Sequence, residues 1–338
     1  MDGRPAALAG RAHAAPCQYL SGCVRLIPND TKGRTHTKSP GGRPRMTWRS
    51  YLELCKLRIG FMIAVTAMVG YAAVADDLNV AHLLTLAVAM LLGSASSSVF
   101  NHFYDRDLDG LMQRTAKRPL VAGSASGAGI DPRRVLWFAA ALLVAGCGLA
   151  MASFNWAVAL HLFLGAFVYG IVYTVWLKRR TWLNIVIGGA AGSFAIMAGA
   201  AAVDPGQWLL PTIMAVFLFL WTPSHFWALA IMLRDDYAKA GVPMLPVLVG
   251  DARTAKAIFI NTVLLVASSL LPWTLGYLGN VYGVIATAFG IHFLYKNWKL
   301  VREPGKPLAK KVFFGSMSYL TGVFLAVVLD KHLPPLPF

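Results

Sequence analysis

Charge is scarce in this sequence. Asp, Glu, Lys and Arg make up 14% of its 338 residues, against 57% for hydrophobic types. A soluble globular domain carries about 25% charged residues, so that class is excluded and a polytopic helical membrane protein is indicated. Acidic residues are the scarcer sign, 15 against 31 Lys and Arg, for a net charge of +16. Cysteine is limited to Cys17, Cys23, Cys55 and Cys147. None forms a Cys-x-x-Cys pair, which argues against a zinc site and a disulfide framework. Residues 1–46 contain no apolar core, which excludes a secretory signal. They are small, basic and without apolar periodicity, and read as a disordered tail; the patterned sequence begins just after Met46.

What fills the rest is apolar. Nine spans, each long enough or nearly so to cross about 30 Å of hydrocarbon, lie near 55–75, 82–103, 133–152, 155–176, 183–203, 209–232, 255–275, 280–295 and 312–329. They predict an all-α membrane domain over 47–332, followed by a short C-terminal tail, 333–338. With the N-terminus cytoplasmic, Lys331 is the only one of the 31 Lys and Arg residues to fall outside. That asymmetry is the positive-inside pattern, and an error of one span would scramble it. It accounts for the basic total through the lipid bilayer, without nucleic acid. Spans two and six both end inside and run into Asp-rich sequence, so spans one to four and five to eight are readable as two related four-helix halves.

The chemistry concentrates in the first of those acidic stretches, from Asn101 to Pro119. If the helix continues past Phe103, Asn101, Asp105 and Asp109 share one face. The stripe is about 12 Å long at about 1.5 Å per residue, with Asp107 pointing elsewhere. Two carboxylates and an amide suit a hard divalent cation such as Mg2+, which takes oxygen ligands and shares its shell with substrate phosphates. Arg114, Lys117 and Arg118 follow, as a diphosphate requires. A solvated membrane-edge loop is the plainer reading. It is weakened because a polar group inside an apolar span is costly.

The second stretch is Arg234-Asp235-Asp236-Tyr237-Ala238-Lys239. Asp235 and Lys239 are four apart and share a face, while Asp236 lies about 100° round. The pair is readable either as a second metal-holding patch or as a surface Asp–Lys contact worth a few tenths of a kcal/mol. Lys56 and Arg58 at the start of span one, and Lys178, Arg179 and Arg180 at the end of span four, with Tyr173 a turn deeper, complete the basic set. Lys and Arg at inner span ends are expected from topology alone. Lys178, Arg114 and Arg118 are preferred because an acidic patch or a tyrosine lies beside them. Two acid patches on one membrane face suit a diphosphate ester with a long apolar tail. The head then sits at the surface, and dry helix walls shield the carbocation left when the diphosphate departs.

These residues resemble a known group. Asn101-x3-Asp105-x3-Asp109 with Arg118, then Tyr173-x4-Lys178-Arg179, then Asp235-Asp236, are similar to the motifs of the UbiA-type intramembrane prenyltransferase superfamily. Three strings resemble its protohaem IX farnesyltransferase (haem O synthase) branch: Trp221-Thr-Pro-Ser-His225, Asp236-Tyr-Ala-Lys-Ala-Gly-Val-Pro-Met-Leu-Pro-Val247 and Asn184-Ile-Val-Ile-Gly-Gly-Ala-Ala-Gly192. The likeness runs from about Tyr51 to the end of span nine. It implies nine helices around a central cavity and transfer of a farnesyl group from farnesyl diphosphate to a vinyl group of haem B. Water adds a hydroxyl, and the haem O formed is the precursor of haem A for terminal oxidases. The resemblance implies Mg2+ as cofactor, with Asn101, Asp105, Asp109, Asp235 and Asp236 as catalytic and metal residues. Lys56, Arg58, Arg114, Arg118, Tyr173, Lys178 and Lys239 are the corresponding diphosphate-binding candidates. It implies a bacterial inner membrane, acidic motifs on the cytoplasmic side, and haem A synthase or oxidase assembly proteins as neighbours.

The chain departs from that family at Lys56-Leu57-Arg58, where the family has Lys-Pro-Arg, and at Thr222-Pro223-Ser224-His225, where it has Thr-Pro-Pro-His. Phe194-Ala195-Ile196 replaces Phe-Pro-Pro, and Gly199-Ala200 replaces Gly-Trp. These changes bear on the acceptor pocket and leave the diphosphate site intact. His102, beside Asn101, and His225, about 15 Å deeper than Asp235, are candidate haem contacts. Both are also readable as hydrogen-bonded structural residues. The rival activities are prenyl transfer to another acceptor such as a quinone precursor, transport of an anionic lipid or metal, and nonenzymatic assembly. Transporters hold their ionisable residues near the bilayer midplane, whereas these carboxylates lie at one interface.

Overall fold

The computed structural model describes residues 48–121 and 131–333. The predicted N-terminal tail, Cys17 and Cys23, and all of the C-terminal tail beyond Leu333 lie outside these residues. Helix α1 (Trp48–Leu54) precedes α2 (Leu57–Val74), α3 (Val80–Tyr104) and the short α4 (Arg106–Leu111). Next come α5 (Pro132–Ser153) and α6 (Trp156–Phe167), which runs on as a π-helix over Val168–Leu177. Then follow α7 (Asn184–Gly188), α8 (Ala190–Ala201), α9 (Leu209–Met232) and the short α10 (Arg234–Lys239). Helices α11 (Leu245–Thr274), α12 (Asn280–Arg302) and α13 (Lys306–His332) complete the chain.

Helical rods therefore stand wherever the nine apolar spans were expected among the described residues. Eight are long and apolar enough to cross a membrane. The exception is α12, whose 23 residues reach far enough but include Lys296, Asn297, Lys299 and Arg302. The seventh span starts earlier than its apolar run suggests. Helix α11 begins at Leu245 and breaks at Gly250, whose φ of 77° is open only to glycine at little cost. Asparagine and aspartate side chains start several rods by accepting from free backbone N–H groups. Asn79 caps α3, Asp131 caps α5 and Asn155 caps α6.

The rods close a ring. Helix α3 packs on α2, α5 and α6, while α9 packs on α8, α11 and α13, and α13 returns against α2. In both halves the second rod lies along the third, α3 on α5 and α9 on α11, as two related four-helix halves require. The halves join where α2 crosses α8 with no side chain between them. A Cβ on Gly199 would stand 1.8 Å from the Ala67 carbonyl oxygen, and one on Gly70 would stand 2.3 Å from that of Ile196. Small residues at such crossings let membrane helices approach backbone to backbone. Inside α9, Pro223 removes a backbone donor. Asn261 from α11 reaches over to donate to the Leu220 carbonyl at 2.5 Å.

Candidate functional site

Helix α3 stops at Tyr104, with Asp105 at the break, and α4 starts at once. The helical ladder survives the joint, because Asp105 N donates to the Asn101 carbonyl at 2.9 Å and Asp109 N to that of Asp105 at 2.8 Å. The expected polar stripe is therefore present, and it is buried: Asn101, Asp105 and Asp109 are 3%, 0% and 2% exposed. Asp107 turns outward, as the spacing predicts. Arg179 grips it through both nitrogens, at 2.7 and 2.8 Å, and holds its carboxyl down at about 2.

Each buried acid meets a cation. Lys178 pairs with Asp105, and Arg118 reaches Asp109 at 2.5 Å. Lys56 donates to the Asn101 amide oxygen at 2.9 Å, and the Asn101 amide N–H donates to Asp105 at 2.7 Å and to Thr174 at 3.1 Å. Lys56 sits in the left-handed backbone region, φ 45° and ψ 51°, where a residue with a Cβ is strained by about 1 kcal/mol or more.

The π-helix is the element that the sequence pattern does not announce. Its wider turn carries Thr174 and Lys178 to Asp105 and Asn101: Lys178 N donates to the Tyr173 carbonyl and Thr174 Oγ1 to that of Tyr169, both at 2.8 Å. Long π-helical stretches are rare and cluster at functional sites. Thr174, fully buried, was not foreseen, because a lone threonine in an apolar span is unremarkable in sequence. Of the other basic candidates, Arg58 and Arg114 are exposed. Arg114 still lies within electrostatic reach of Tyr173, as do Asp105, Arg118 and Tyr237.

Tyr237 brings α10 to the site, and burial separates its two acids. Asp236 and Tyr237 are half-buried and Ala240 is buried, whereas Asp235, Ala238 and Lys239 are exposed. Asp236 thus shares the inner face with Tyr237. Asp235 is 61% exposed and pairs with Lys306 at the start of α13, at 2.7 Å, rather than with Lys239. That contact lowers its carboxyl from the ordinary range. Asp235→Asn is expected to leave turnover within about threefold of the parent, since an exposed pair screened by solvent contributes little. Asp236→Asn is expected to cost far more, and steady-state rates of the two variants side by side check this.

His225, buried in α9, donates to or accepts from Ser316 at 2.7 Å, and its ring is stacked between Trp221 and Phe313. At most Nε2 is left for another partner. His102 differs, since both its ring nitrogens are buried without one.

Among the described residues no three His, Cys, Asp or Glu side chains converge into a ready-made metal centre. The donor set still suits Mg2+, which binds through one or two carboxylates plus substrate phosphates. Asp105 Oδ1 has no hydrogen-bond partner, with Arg179 3.6 Å away. About one turn deeper along α3, from Ser98 inward, a cavity of about 80 Å³ lies between α2, α3, α6 and α8. Tyr169, stacked on Tyr173 at 5.6 Å, lines its near end, and Met90, His161 and Leu162 lie deeper.

The UbiA prenyltransferase family model matches residues 63–322, from the first turns of α2 into α13. The chain belongs to the UbiA prenyltransferase family. A relative within this family, protoheme IX farnesyltransferase 1 of Paramagnetospirillum magneticum, is 60% identical over 85% of this chain and 100% of its own length. The protoheme IX farnesyltransferase of Methylococcus capsulatus is 38% identical over 88% of this chain and 99% of its own. Solved structures share the fold. A digeranylgeranylglyceryl phosphate synthase matches with a TM-score of 0.70 at 21% identity, over 84% of this chain and 98% of that one. A UbiA homologue from Archaeoglobus fulgidus, bound to DMAPP and Mg2+, matches with a TM-score of 0.63 at 19% identity, over 82% and 99%. The family model begins at residue 63, so Lys56 stands just ahead of it.

Proposed function

We propose that this chain transfers the farnesyl group of farnesyl diphosphate to the vinyl side chain of protohaem IX (haem B), with water supplying a hydroxyl, to give haem O. The observation that carries the reading is the buried Asn101–Asp105–Asp109 stripe, ringed by Lys56, Lys178 and Arg118, with an apolar cavity beginning about one turn deeper at Ser98. Likeness to protoheme IX farnesyltransferases supports the acceptor.

Asn101, Asp105, Asp109 and Asp236 would hold Mg2+, with Asp235 at the rim of that set. When bound, Mg2+ neutralises the charge that grows on the leaving diphosphate. The protein's own groups divide the remaining work. Lys178 and Arg118, which pair with carboxylates here, turn their charge to phosphate oxygens when the diphosphate arrives. Lys56 and Arg114 add to that positive rim, with Arg58 and Lys239 further out. Once turned to the bound diphosphate, these donors stabilise the departing anion without further reorganisation at the moment of reaction. Tyr169 and Tyr173 wall off the reacting carbon, and the apolar cavity holds the isoprenoid tail away from water. The positive-inside pattern supports the reading that the acids face the cytoplasm in a nine-span protein with its N-terminus inside. A bacterial inner membrane, with haem A synthase or oxidase assembly proteins as consumers of the product, completes the reading.

Ala195 lines the cavity at a position where the family pattern has proline. That difference keeps a smaller acceptor, a quinone precursor, as the competing reading. Membranes given labelled farnesyl diphosphate with either haem B or a hydroxybenzoate decide between them. Haem B is expected to gain a hydroxylated farnesyl chain by mass. Label on the hydroxybenzoate alone would overturn the assignment.

A further inference from the structure

His102 occupies the last turn of α3 and is 4% exposed, yet among the described residues neither ring nitrogen has a hydrogen-bond partner. A buried donor or acceptor left unpaired costs about 1–3 kcal/mol. The other orphan at this helix end is Asp105 Oδ1, an acceptor already assigned to the cation, so the His102 ring is the donor-capable group left over. The charged groups within electrostatic reach of its ring are Lys56, Arg118 and Lys178, the three cations that contact Asn101, Asp109 and Asp105. Residues four apart share a helical face, and four and eight residues deeper stand Ser98 and Ser94, both lining the apolar cavity. His102 therefore lies where the row of cations ends and the cavity begins. A tail-bearing diphosphate bound here would place its bridging region at that junction.

We infer that His102 is a substrate-contacting residue whose ring N–H donates a hydrogen bond to an oxygen of the bound diphosphate. This rests on the diphosphate reading of the site and adds to it a donor that is left unmet until ligand arrives. It moves His102 from the acceptor side, where it was a candidate haem contact, to the leaving-group side. No proton is transferred; a neutral imidazole retains one N–H to give. The arrangement places a neutral donor beside three cations, which adds a directed bond without adding a fourth positive charge to a closely packed cluster.

A histidine held for the fold and one held for a ligand respond oppositely to removal. Full-length protein in detergent, with Mg2+ and farnesyl thiodiphosphate as an unreactive probe, separates them through two readouts: the melting temperature without probe, and the affinity for it. His102→Leu removes the orphan, so the free protein melts at the same temperature or higher. The probe binds about tenfold or more weakly, as loss of a hydrogen bond to a charged group implies. His102→Gln, which restores an N–H donor, recovers part of the affinity. A lower melting temperature with parental affinity would make His102 structural and overturn the inference, and unchanged values in both would overturn it equally. Should His102→Leu not accumulate, wild-type protein labelled with [15N]histidine gives the answer. The ring resonance that disappears in His102→Gln must move when the probe is added, and a stationary resonance contradicts the contact. Asp105→Asn controls for the reading beneath. If that variant loses the probe while His102→Leu keeps it, only the histidine contact fails. If Asp105→Asn binds as the parent does, the diphosphate site itself is misplaced.

Discussion

Asp105→Asn is expected to lower turnover by roughly two to three orders of magnitude, the scale of losing one preorganised charge-stabilising group, in protein that still inserts and folds. Asp105 is the centre of the site's electrostatics. It is fully buried, it accepts from Asn101 and Lys178, and its second oxygen has no hydrogen-bond partner. An asparagine keeps an oxygen for Lys178, so the contact survives without its charge. What it cannot supply is the anionic oxygen pair that a hard cation requires. Breaking a buried pair by removing one partner also strands the other charge. Lys178 is nearly buried, at 12% exposure of its side chain, so some thermal stability is lost as well. Lys178→Met in the same chain removes the stranded charge. The double variant is expected to regain melting temperature and no turnover, which separates folding from chemistry. Full activity in well-folded Asp105→Asn would refute the metal role.

Gly199→Val is expected to abolish accumulation of folded protein in the membrane. Even a single Cβ would stand 1.8 Å from the Ala67 carbonyl oxygen and 2.9 Å from the Tyr71 amide nitrogen. Both obstacles are backbone, so no rotamer change relieves them; α2 and α8 would have to separate. Overpacking of a core costs typically about 1–3 kcal/mol, and more where nothing can yield. Folded proteins have only about 5–15 kcal/mol to lose. Gly148→Ala is the matched control, because a Cβ there meets nothing within 4 Å. In the interior of α5 the change is expected to be neutral or to stabilise by up to about 1 kcal/mol. Fluorescence-detected gel filtration of the two variants gives the comparison. Normal yield of Gly199→Val would mean that the α2–α8 crossing is looser than described.

Much of this was legible in the residues themselves. Apolar run lengths located the rods, and the four-residue spacing of Asn101, Asp105 and Asp109 located their shared face even though the helix breaks between Tyr104 and Arg106. The α3–α4 joint shows why: the backbone ladder runs across it from Asn101 through Asp105 to Asp109 and keeps that register. The second patch was legible only as a pair. Which acid faces inward depends on where α10 rests against the core, and burial of Ala240 with the half-burial of Tyr237 selects Asp236. Asp235 finds Lys306, seventy-one residues away, a partner that no local spacing contains. The π-helix at Val168–Leu177 was illegible for a related reason. Its residues form an ordinary apolar run, and the wider turn goes with tertiary contacts of Thr174 to Asn101 and of Lys178 to Asp105, which no local spacing contains. His102 and His225 were indistinguishable as lone histidines in apolar spans. Their hydrogen bonding tells them apart, one ring engaged by Ser316 and the other by none of the described residues.

The account stands on the buried acids and the diphosphate meeting through a divalent cation. Mn2+ in place of Mg2+ makes that meeting visible by electron paramagnetic resonance, using purified protein and farnesyl thiodiphosphate. The prediction is a bound Mn2+ signal with hyperfine coupling to phosphorus in the parent, lost in Asp105→Asn and in Asp236→Asn and kept in Asp235→Asn. Phosphorus coupling that persists without Asp105 and Asp236, or no bound Mn2+ in the parent, would contradict it.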